Sequence, residues 1–394
     1  MKYFLLLCFL IVQVCDVAAQ VTYPVNGSHD KRPGLYAFMN ATIVVNSEQT
    51  ISNGILLVKN QKIEAAGQGL IIPDGYIKID LKSKFIYPSF VDAFTSYGLA
   101  TGPSARQGGG FGRTQVFTST KAGAYAWNEA IRPEIAVRSI FTVDAKKAED
   151  YKKAGFGTVQ SVSRDGIARG VSLISTLNDQ DESTVILKDL AAAHYSFNKG
   201  SSTNSYPTSL MGSIALLRQT YLDAAWYKNQ KDEFNISLDE FNKTQLLSQI
   251  FEVSDVLSVL RADKIGDEFG KQFVFKTEGK EYQRLAEAKA TGGSFIIPLT
   301  FPKPFDIEDA ADARNISYTQ LKDWELAPSN PSALEKAGIK FALTSFGLET
   351  APKDFWANLR TAIDHGLTEK QALKSLTEVP AEMLGVSEMV GTLS

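Results

Sequence analysis

Residues 85–96 read Phe-Ile-Tyr-Pro-Ser-Phe-Val-Asp-Ala-Phe-Thr-Ser, and the character of the chain changes within them. Before residue 88, short apolar runs are separated by turn residues, at the spacing typical of a small all-β unit. One of the turns, residues 59–62, has the composition of a tight hairpin. After residue 88, apolar strand-like runs alternate with helical patterns. The sequence therefore predicts a small β-domain over residues 34–87, joined to a larger α/β domain.

The larger domain extends over residues 88–385 and carries clear helix and strand signals. Asp144 is a plausible N-cap for a helix that ends at Ala154, with Gly155 just beyond it. A buried strand is predicted from Phe156 to Val162, and a long amphipathic helix after Pro207. Alternation of strand and helix over nearly 300 residues predicts a parallel α/β sheet or barrel.

The first residues of the chain have the form of a signal peptide. A lysine precedes an apolar run that is too short to span a bilayer, which needs about 20 residues. Small residues then end at Ala19, the pattern that signal peptidases accept. We expect residues 1–19 to be removed, residues 20–33 to form a flexible arm, and the protein to be periplasmic or extracellular. Lipidation of Cys15 is the alternative, which the preceding Val14 disfavours.

Composition excludes several classes of function. Cys8 and Cys15, the two cysteines of the chain, both lie in the predicted signal peptide, so the mature chain would have no disulfide and no thiolate nucleophile. The net charge is −3 and no basic run occurs, so nucleic acid is not an expected partner. No later stretch is apolar and long enough to span a membrane.

Several ordered segments resemble the amidohydrolase superfamily, in particular its imidazolonepropionase-like members. The resemblance is carried by residues 40–43, 54–58, 85–92, 155–159, 337–344 and 365–386. It is good at both ends of the chain and faint between about residues 176 and 332. It implies a TIM-like (β/α) barrel, preceded by part of a small β-sandwich, and the hydrolysis of non-peptide C–N bonds.

The family's chemistry uses one or two divalent metals such as zinc at the mouth of the barrel, and this sequence departs from the ligand pattern. The first barrel strand of the family ends in Asp-x-His-x-His, whereas here Phe94 and Ser96 stand in place of both histidines. The last strand ends in Thr-Asp, whereas here Ser345 stands in place of the aspartate. Only three histidines occur in the whole chain. We therefore expect no catalytic metal.

Three residues remain as weak candidates for a functional role. Asp92 is the surviving acid of the first-strand motif. Lys276 falls about where some family members carry a carbamylated lysine, although a lysine that reaches solvent at a strand end is the simpler interpretation. His194 is more simply an ordinary loop or edge-strand histidine. A glycine-rich segment, residues 107–113, lacks the Gly-Lys-Ser/Thr ending of a phosphate-binding loop and is expected to be a lid or an insert.

The last residues of the sequence suggest a segment that returns to the N-terminal β-domain. Residues 386–394 resemble the start of the chain that completes the β-sandwich in the family, so we expect the sequence to be truncated there. Three functions follow as alternatives. The chain is a catalytically silent domain that supports a second amidohydrolase-like domain or subunit, an active hydrolase whose working site lies in a C-terminal continuation, or a non-catalytic module that binds small molecules. In the last case Phe94, Phe346 and Trp324 could line the mouth.

The processing of the N-terminus is directly testable. Expression of the chain in an export-competent host should yield a protein whose N-terminal residue is Gln20, because the small residues before it suit signal peptidase. Intact-mass measurement and N-terminal sequencing check this expectation. Retention of Met1, or a lipid-modified Cys15 at the N-terminus, would contradict it.

Overall fold

The computed structural model describes residues 34–100, 115–230, 233–348 and 351–394. The predicted signal peptide, the arm of residues 20–33 and the glycine-rich segment 107–113 lie outside the described residues. Within the described part, an N-terminal sheet precedes a larger domain of strands and helices, as the sequence predicts.

The N-terminal sheet is built from short strands joined by turns. Its members are β1 (Leu35–Val44), β2 (Thr50–Lys59), β3 (Lys62–Gly67), β4 (Ile77–Asp80) and β5 (Phe85–Ile86). β1 pairs antiparallel with β2 and parallel with β4 and β5, and β2 pairs antiparallel with β3. The predicted hairpin at residues 59–62 is confirmed, with Asn60 and Gln61 at positive φ as a two-residue turn of this kind requires.

The C-terminal residues contact this sheet. Leu393 is buried against Ala41, Ile43 and Leu56, and its backbone N–H donates to the carbonyl of Val45 at 2.9 Å. Several aromatic side chains of the sheet region remain exposed, among them Phe85 and Tyr87, whose rings stack at 6.0 Å. The returning segment therefore packs on one part of the sheet and leaves other apolar side chains in solvent.

The larger domain carries the remaining strands. They are β6 (Phe90–Thr95), β7 (Phe156–Ser161), β8 (Ala168–Val171), β9 (Leu173–Thr176), β10 (Ile186–Lys188), β11 (Ala192–Ser196), β12 (Ser248–Glu252), β13 (Phe273–Lys276), β14 (Ser294–Pro298) and β15 (Phe341–Thr344). β6 and β7 are parallel, and β11 to β15 form a continuous parallel series. β8 and β9, separated only by Ser172, run antiparallel to their neighbours and connect β7 to β11. The strand order is that of a (β/α) barrel in which one position is reversed.

Helices lie between these strands and after the last of them. They are α1 (Ala145–Ala154), α2 (Glu182–Val185), α3 (Leu210–Tyr227), α4 (Ile236–Thr244), α5 (Val256–Phe269), α6 (Leu285–Ala290), α7 (Ala310–Asn315), α8 (Tyr318–Leu326), α9 (Asn330–Ala337), α10 (Ala351–Asp364), α11 (Glu369–Leu376) and α12 (Glu378–Met383). The predicted caps of α1 are confirmed, because Asp144 accepts from Lys147 N and Gly155 has φ +99°. The long helix predicted after Pro207 is confirmed as α3, in which Leu216, Leu217 and Tyr221 are buried while Leu210 and Ala225 are exposed.

The first and last barrel strands meet at a buried carboxylate. Asp92 of β6 accepts hydrogen bonds from the Thr344 hydroxyl at 2.5 Å, the Ser345 hydroxyl at 2.6 Å and the Ser345 backbone N–H at 2.9 Å. The Thr344 hydroxyl also lies 2.9 Å from the carbonyl oxygen of Phe94. Burial raises the pKa of Asp92, and these hydrogen bonds oppose that rise. Side chains thus bridge β6, at the edge of one sheet, and β15, at the edge of the other.

No helix of the described ranges is long and apolar enough to cross a membrane.

Replacing Asp92 with alanine should destabilise the protein strongly. The change leaves the buried Ser345 hydroxyl and backbone N–H without their acceptor, while the Thr344 hydroxyl keeps the carbonyl of Phe94, and such unpaired groups cost about 1–3 kcal/mol each. We expect a loss of roughly 3 kcal/mol or more in the free energy of unfolding, measured by urea titration. Ser96→Ala, at an exposed residue just after the same strand, is the control and should change little. Equal stabilities of the two variants would show that Asp92 does not hold these strands together.

Candidate functional site

A cavity of about 1140 Å³ opens at the C-terminal ends of the barrel strands. Ser196, Glu252, Lys276 and Pro298, the final residues of β11, β12, β13 and β14, all line it. Phe346, two residues after β15, also contributes to its wall. Functional sites of (β/α) barrels form at this face, because the strand ends and the loops after them converge there. The cavity is therefore the candidate functional site.

Glu252 lies at the centre of a cluster of charged side chains. Arg164 donates to both of its oxygens, with its Nη2 2.6 Å from Oε1. Arg169 contacts Oε2 through Nη1, and Lys276 Nζ lies 3.8 Å from Oε1. The side chains of Arg169 and Lys276 are only 3% and 6% exposed, whereas Arg164 is 47% exposed. One buried carboxylate thus holds three cationic groups beside the cavity.

Arg169 reaches this cluster because its strand is reversed. β8 runs antiparallel to β11, so the start of β8 lies at the end where the parallel strands finish. Gly170 follows with φ +83°, and a Cβ there would lie 1.9 Å from the carbonyl oxygen of Ile135. Only glycine allows the backbone at residue 170 to come this close to Ile135, and this close contact fixes the backbone next to Arg169. The guanidinium is further held by the carbonyl of Gly166, at 3.0 Å from Nε.

Two phenylalanine rings form an apolar wall beside the cations. Phe94 and Phe346 pack edge to face with centroids 5.2 Å apart. Lys276 Nζ lies 5.3 Å and 4.8 Å from the two ring centroids, and the Arg164 guanidinium lies 4.7 Å from the Phe346 ring. Such cation–ring contacts are favourable when the cation is partly desolvated. Of the three aromatic residues expected to line the mouth, Phe346 does so, whereas Trp324 and the fully buried Phe94 are not among the cavity residues.

The electrostatics of the cluster follow from burial and mutual contact. Burial raises the pKa of Glu252, but Arg169, Arg164 and Lys276 outweigh it and lower the pKa to about 2. Glu252 is therefore ionised at all ordinary pH values. Burial lowers the pKa of Lys276, although Glu252 opposes that change. Three cationic side chains face one carboxylate, so positive charge is in excess.

Other charged residues of the cavity wall are occupied elsewhere or exposed. Asp323 pairs with Lys280 at 2.9 Å, and Asp255 accepts from the backbone and hydroxyl of Ser258 at the start of α5. Glu278 is exposed. Among the described residues, Glu252 is the carboxylate that forms ion pairs with the three cations, while Glu278 and Asp165 also act electrostatically on Lys276 and Arg169.

The structure corrects the simpler interpretation of Lys276. We expected a lysine that reaches solvent at a strand end, but its side chain is almost fully buried and its ammonium faces the cavity beside Glu252. Its nitrogen lies 5.3 Å and 4.8 Å from the ring centroids of Phe94 and Phe346. Lys276 therefore belongs to the site.

The simpler interpretation of His194 is also wrong. His194 lies in β11, which pairs with β12 on one side and β8 on the other, so it is neither in a loop nor on an edge strand. Its ring is buried, with Nε2 3.3 Å from the Gln160 amide and the ring centroid 6.0 Å from that of Phe94. Burial, with Arg169 nearby, lowers the pKa of His194 to about 3. It is a neutral core histidine beneath the site.

The residues at the mouth do not fit a divalent metal. Phe94 is a buried ring, Ser345 is engaged with Asp92, and Ser96 is exposed. Within residues 34–100, 115–230, 233–348 and 351–394, no three His, Cys, Asp or Glu side chains are grouped as metal ligands. The carboxylate that faces the cavity, Glu252, is already surrounded by cations, which would repel a metal ion. Asp92 is absent from the cavity wall.

Sequence reasoning missed Glu252, Arg164 and Arg169. Glu252 ends a barrel strand and Arg164 follows one by three residues, so charged residues at strand ends were the available signal. That signal requires the strands to be recognised first, and β12 lies in the part of the chain where the family resemblance is faint. Arg169 depends on the reversal of β8, for which the sequence carries no local sign.

Comparisons with solved structures support the fold. An amidohydrolase from Thermotoga maritima MSB8 is 21% identical, with 91% of each chain covered and a TM-score of 0.71. A prolidase complexed with N-methylphosphonate-L-proline is 12% identical, with 91% of this chain and 90% of the other covered and a TM-score of 0.50. No protein-family model and no curated protein matches the chain. The chain therefore has the fold of amidohydrolase enzymes, and the resemblance seen in its sequence is confirmed for the fold.

Glu252→Gln should destabilise the protein, because it removes the negative charge that balances buried Arg169. Loss of one partner from a buried ion pair costs about 3–5 kcal/mol, and we expect a loss of this size near neutral pH in urea titrations. Glu278→Gln, at an exposed acid of the same cavity, is the matched control and should change little.

The difference in stability between the wild type and Glu252→Gln should depend on pH in a defined way. The pKa of Glu252 is lowered on folding, so its contribution is complete above the unfolded value of about 4.3 and is lost as the pH falls towards the folded value. The stability difference between the wild type and Glu252→Gln should therefore shrink as the pH falls from about 4.3 to about 2. A difference that stays constant over this range would show that the ionised carboxylate does not stabilise the cluster.

Proposed function

We propose that this chain binds a small organic carboxylate in the mouth of its barrel, without using a metal. The observation that carries the proposal is the excess of cationic groups around Glu252 at the wall of the cavity. Positive charge held out of water is costly unless it is compensated. An anionic ligand in the cavity supplies that compensation, so the site favours a negatively charged occupant.

The geometry favours a carboxylate among small anions. Arg164 is half exposed, and its planar guanidinium can present paired N–H groups to the two oxygens of a carboxylate. Phe346 lies directly against this guanidinium and offers an apolar surface for the carbon skeleton of the ligand. A cavity of about 1140 Å³ accommodates a small metabolite-sized molecule.

The fold alone would suggest metal-dependent hydrolysis of C–N bonds, which is the activity that the sequence resemblance implies. The donor set argues against this for the present chain, because arginine and lysine occupy the mouth and phenylalanine and serine stand at the expected ligand positions. The (β/α) barrel fold carries many unrelated functions, so the fold does not determine the activity. Binding without metal chemistry is therefore the better-supported function.

Two further parts of the proposal rest on sequence alone. The signal-peptide pattern supports export of the chain to the periplasm or the extracellular space. The substituted ligand positions support a role beside a second, catalytically competent amidohydrolase-like domain or subunit. Co-purification of the exported protein from its native source, followed by identification of any bound chain, would test the second point. Isolation as a single species without a partner would contradict it.

Carboxylate binding is testable by calorimetry with acetate, pyruvate and succinate as probes. We expect at least one of them to bind saturably, to bind more weakly as salt is raised, and to be unaffected by EDTA. Arg164→Gln should weaken binding by about tenfold or more, since a hydrogen bond to a charged group contributes about 1.5–3 kcal/mol.

The control is Arg284→Gln. Arg284 is exposed to a similar extent, 51%, and also forms an ion pair, with Glu287 on the next turn, but it does not line the cavity. Its replacement should leave carboxylate binding unchanged. Equal weakening by both substitutions, or no binding of any of the three probes, would contradict the proposed function.

A further inference from the structure

Lys276 differs from the other lysines of the cavity in what holds its ammonium group. Lys199 donates to the carbonyl of Asn204 at 2.6 Å, and Lys280 pairs with Asp323 at 2.9 Å. The contacts of Lys276 within the described residues are the ion pair with Glu252, at 3.8 Å, and the two phenylalanine rings. No hydrogen bond among these fixes its nitrogen, which faces the cavity.

We propose that Lys276 is a nucleophile that forms an imine with a small 2-oxo carboxylate bound in the cavity. This inference rests on the proposed function, because it needs the carboxylate of that ligand to be held by arginine. Arg164 Nη2 and Lys276 Nζ both lie beside Oε1 of Glu252, so a guanidinium and an amine converge on one point. In a 2-oxo carboxylate the carbonyl carbon is bonded directly to the carboxylate carbon. This spacing matches the short separation between the guanidinium of Arg164, which would hold the carboxylate, and the amine of Lys276, which would attack the carbonyl carbon.

The surroundings of Lys276 favour the free amine that this chemistry requires. Burial against Phe94 and Phe346 disfavours the ammonium form, and Arg164 and Arg169 repel it, while Glu252 and Glu278 act in the opposite direction. The result is a lowered pKa for Lys276. Desolvation and neighbouring cations are the general means by which proteins activate lysine as a nucleophile.

The reaction balances with water as its only other product. The ammonium of Lys276 first releases a proton to solvent in the open cavity. The nitrogen lone pair then attacks the carbonyl carbon and the π electrons of the C=O bond move to oxygen, which takes a proton from water, while the nitrogen returns a proton to the resulting hydroxide. The neutral carbinolamine then loses its hydroxyl group together with the remaining nitrogen proton as water when the C=N bond forms. Glu252, ionised down to a pH of about 2, does not serve as the acid and acts through its charge.

Reductive trapping tests the proposal on the purified full chain. Incubation with pyruvate and sodium cyanoborohydride converts an imine to a stable secondary amine, which adds the mass of pyruvic acid less one oxygen atom. Peptide mapping then gives the rate of modification at each lysine. We expect Lys276 to be modified at least about tenfold faster than Lys271, because a carboxylate held by Arg164 would keep the carbonyl carbon next to the Lys276 nitrogen and so raise its effective concentration there.

Lys271 is the matched internal control. Burial also lowers its pKa, and its ammonium donates to the carbonyl of Gln245 at 3.2 Å, but it does not line the cavity. Arg164→Gln should slow modification of Lys276 and not of Lys271, and excess acetate should do the same. Lys276→Arg keeps the positive charge and should abolish the fast adduct, whereas Lys271→Arg should leave it unchanged.

The outcomes separate the two proposals. Modification of Lys276 no faster than Lys271, in protein that still binds acetate by calorimetry, would overturn imine formation and leave carboxylate binding in place. Failure of every carboxylate probe to bind would overturn the proposed function and this inference with it. Fast modification of Lys276 that is insensitive to acetate and to Arg164→Gln would also overturn the inference, because the carboxylate would then play no part.

Discussion

The buried carboxylate of Asp92 connects the first barrel strand to the last, and the geometry of the mouth depends on that connection. It accepts from Thr344 and Ser345, which end β15 and begin the loop after it. Phe94 follows Asp92 by two residues and Phe346 follows Thr344 by two, and the two rings meet edge to face. The apolar wall beside Lys276 is therefore a consequence of how the edge strands β6 and β15 of the two sheets are held together.

The charged cluster lies beside this apolar wall, and the wall changes the energies of its ion pairs. Phenylalanine rings reduce the access of water, which strengthens the ion pairs of Glu252 with Arg169 and Lys276. The same loss of water makes each uncompensated cation more costly. A site with surplus buried cations is stable only because one carboxylate is shared by all of them and Arg164 keeps half of its side chain in solvent. The remaining charge is available to a ligand.

Local signals in the sequence predicted local structure well. The hairpin at residues 59–62, the caps of α1 and the strand from Phe156 depend on neighbouring residues, and each is present. The fold class could also be predicted, because the alternation of strand and helix is a property of long segments. The composition of the mouth could not, because Glu252 and Arg164 are more than eighty residues apart and meet only through the order of the strands.

The two corrected residues, His194 and Lys276, show why burial decides function at this site. The sequence suggested that each is a polar side chain at a strand end or an edge, where contact with solvent would leave it without a special role. His194 lies beneath the aromatic wall, where burial holds it neutral against the Gln160 amide.

Lys276 lies on the cavity side of the same wall, where the charge of Glu252 holds the ammonium but no hydrogen bond fixes it. Two basic groups on neighbouring parts of one barrel therefore receive opposite roles, one as core packing and one as a reactive amine, from their position relative to Phe94.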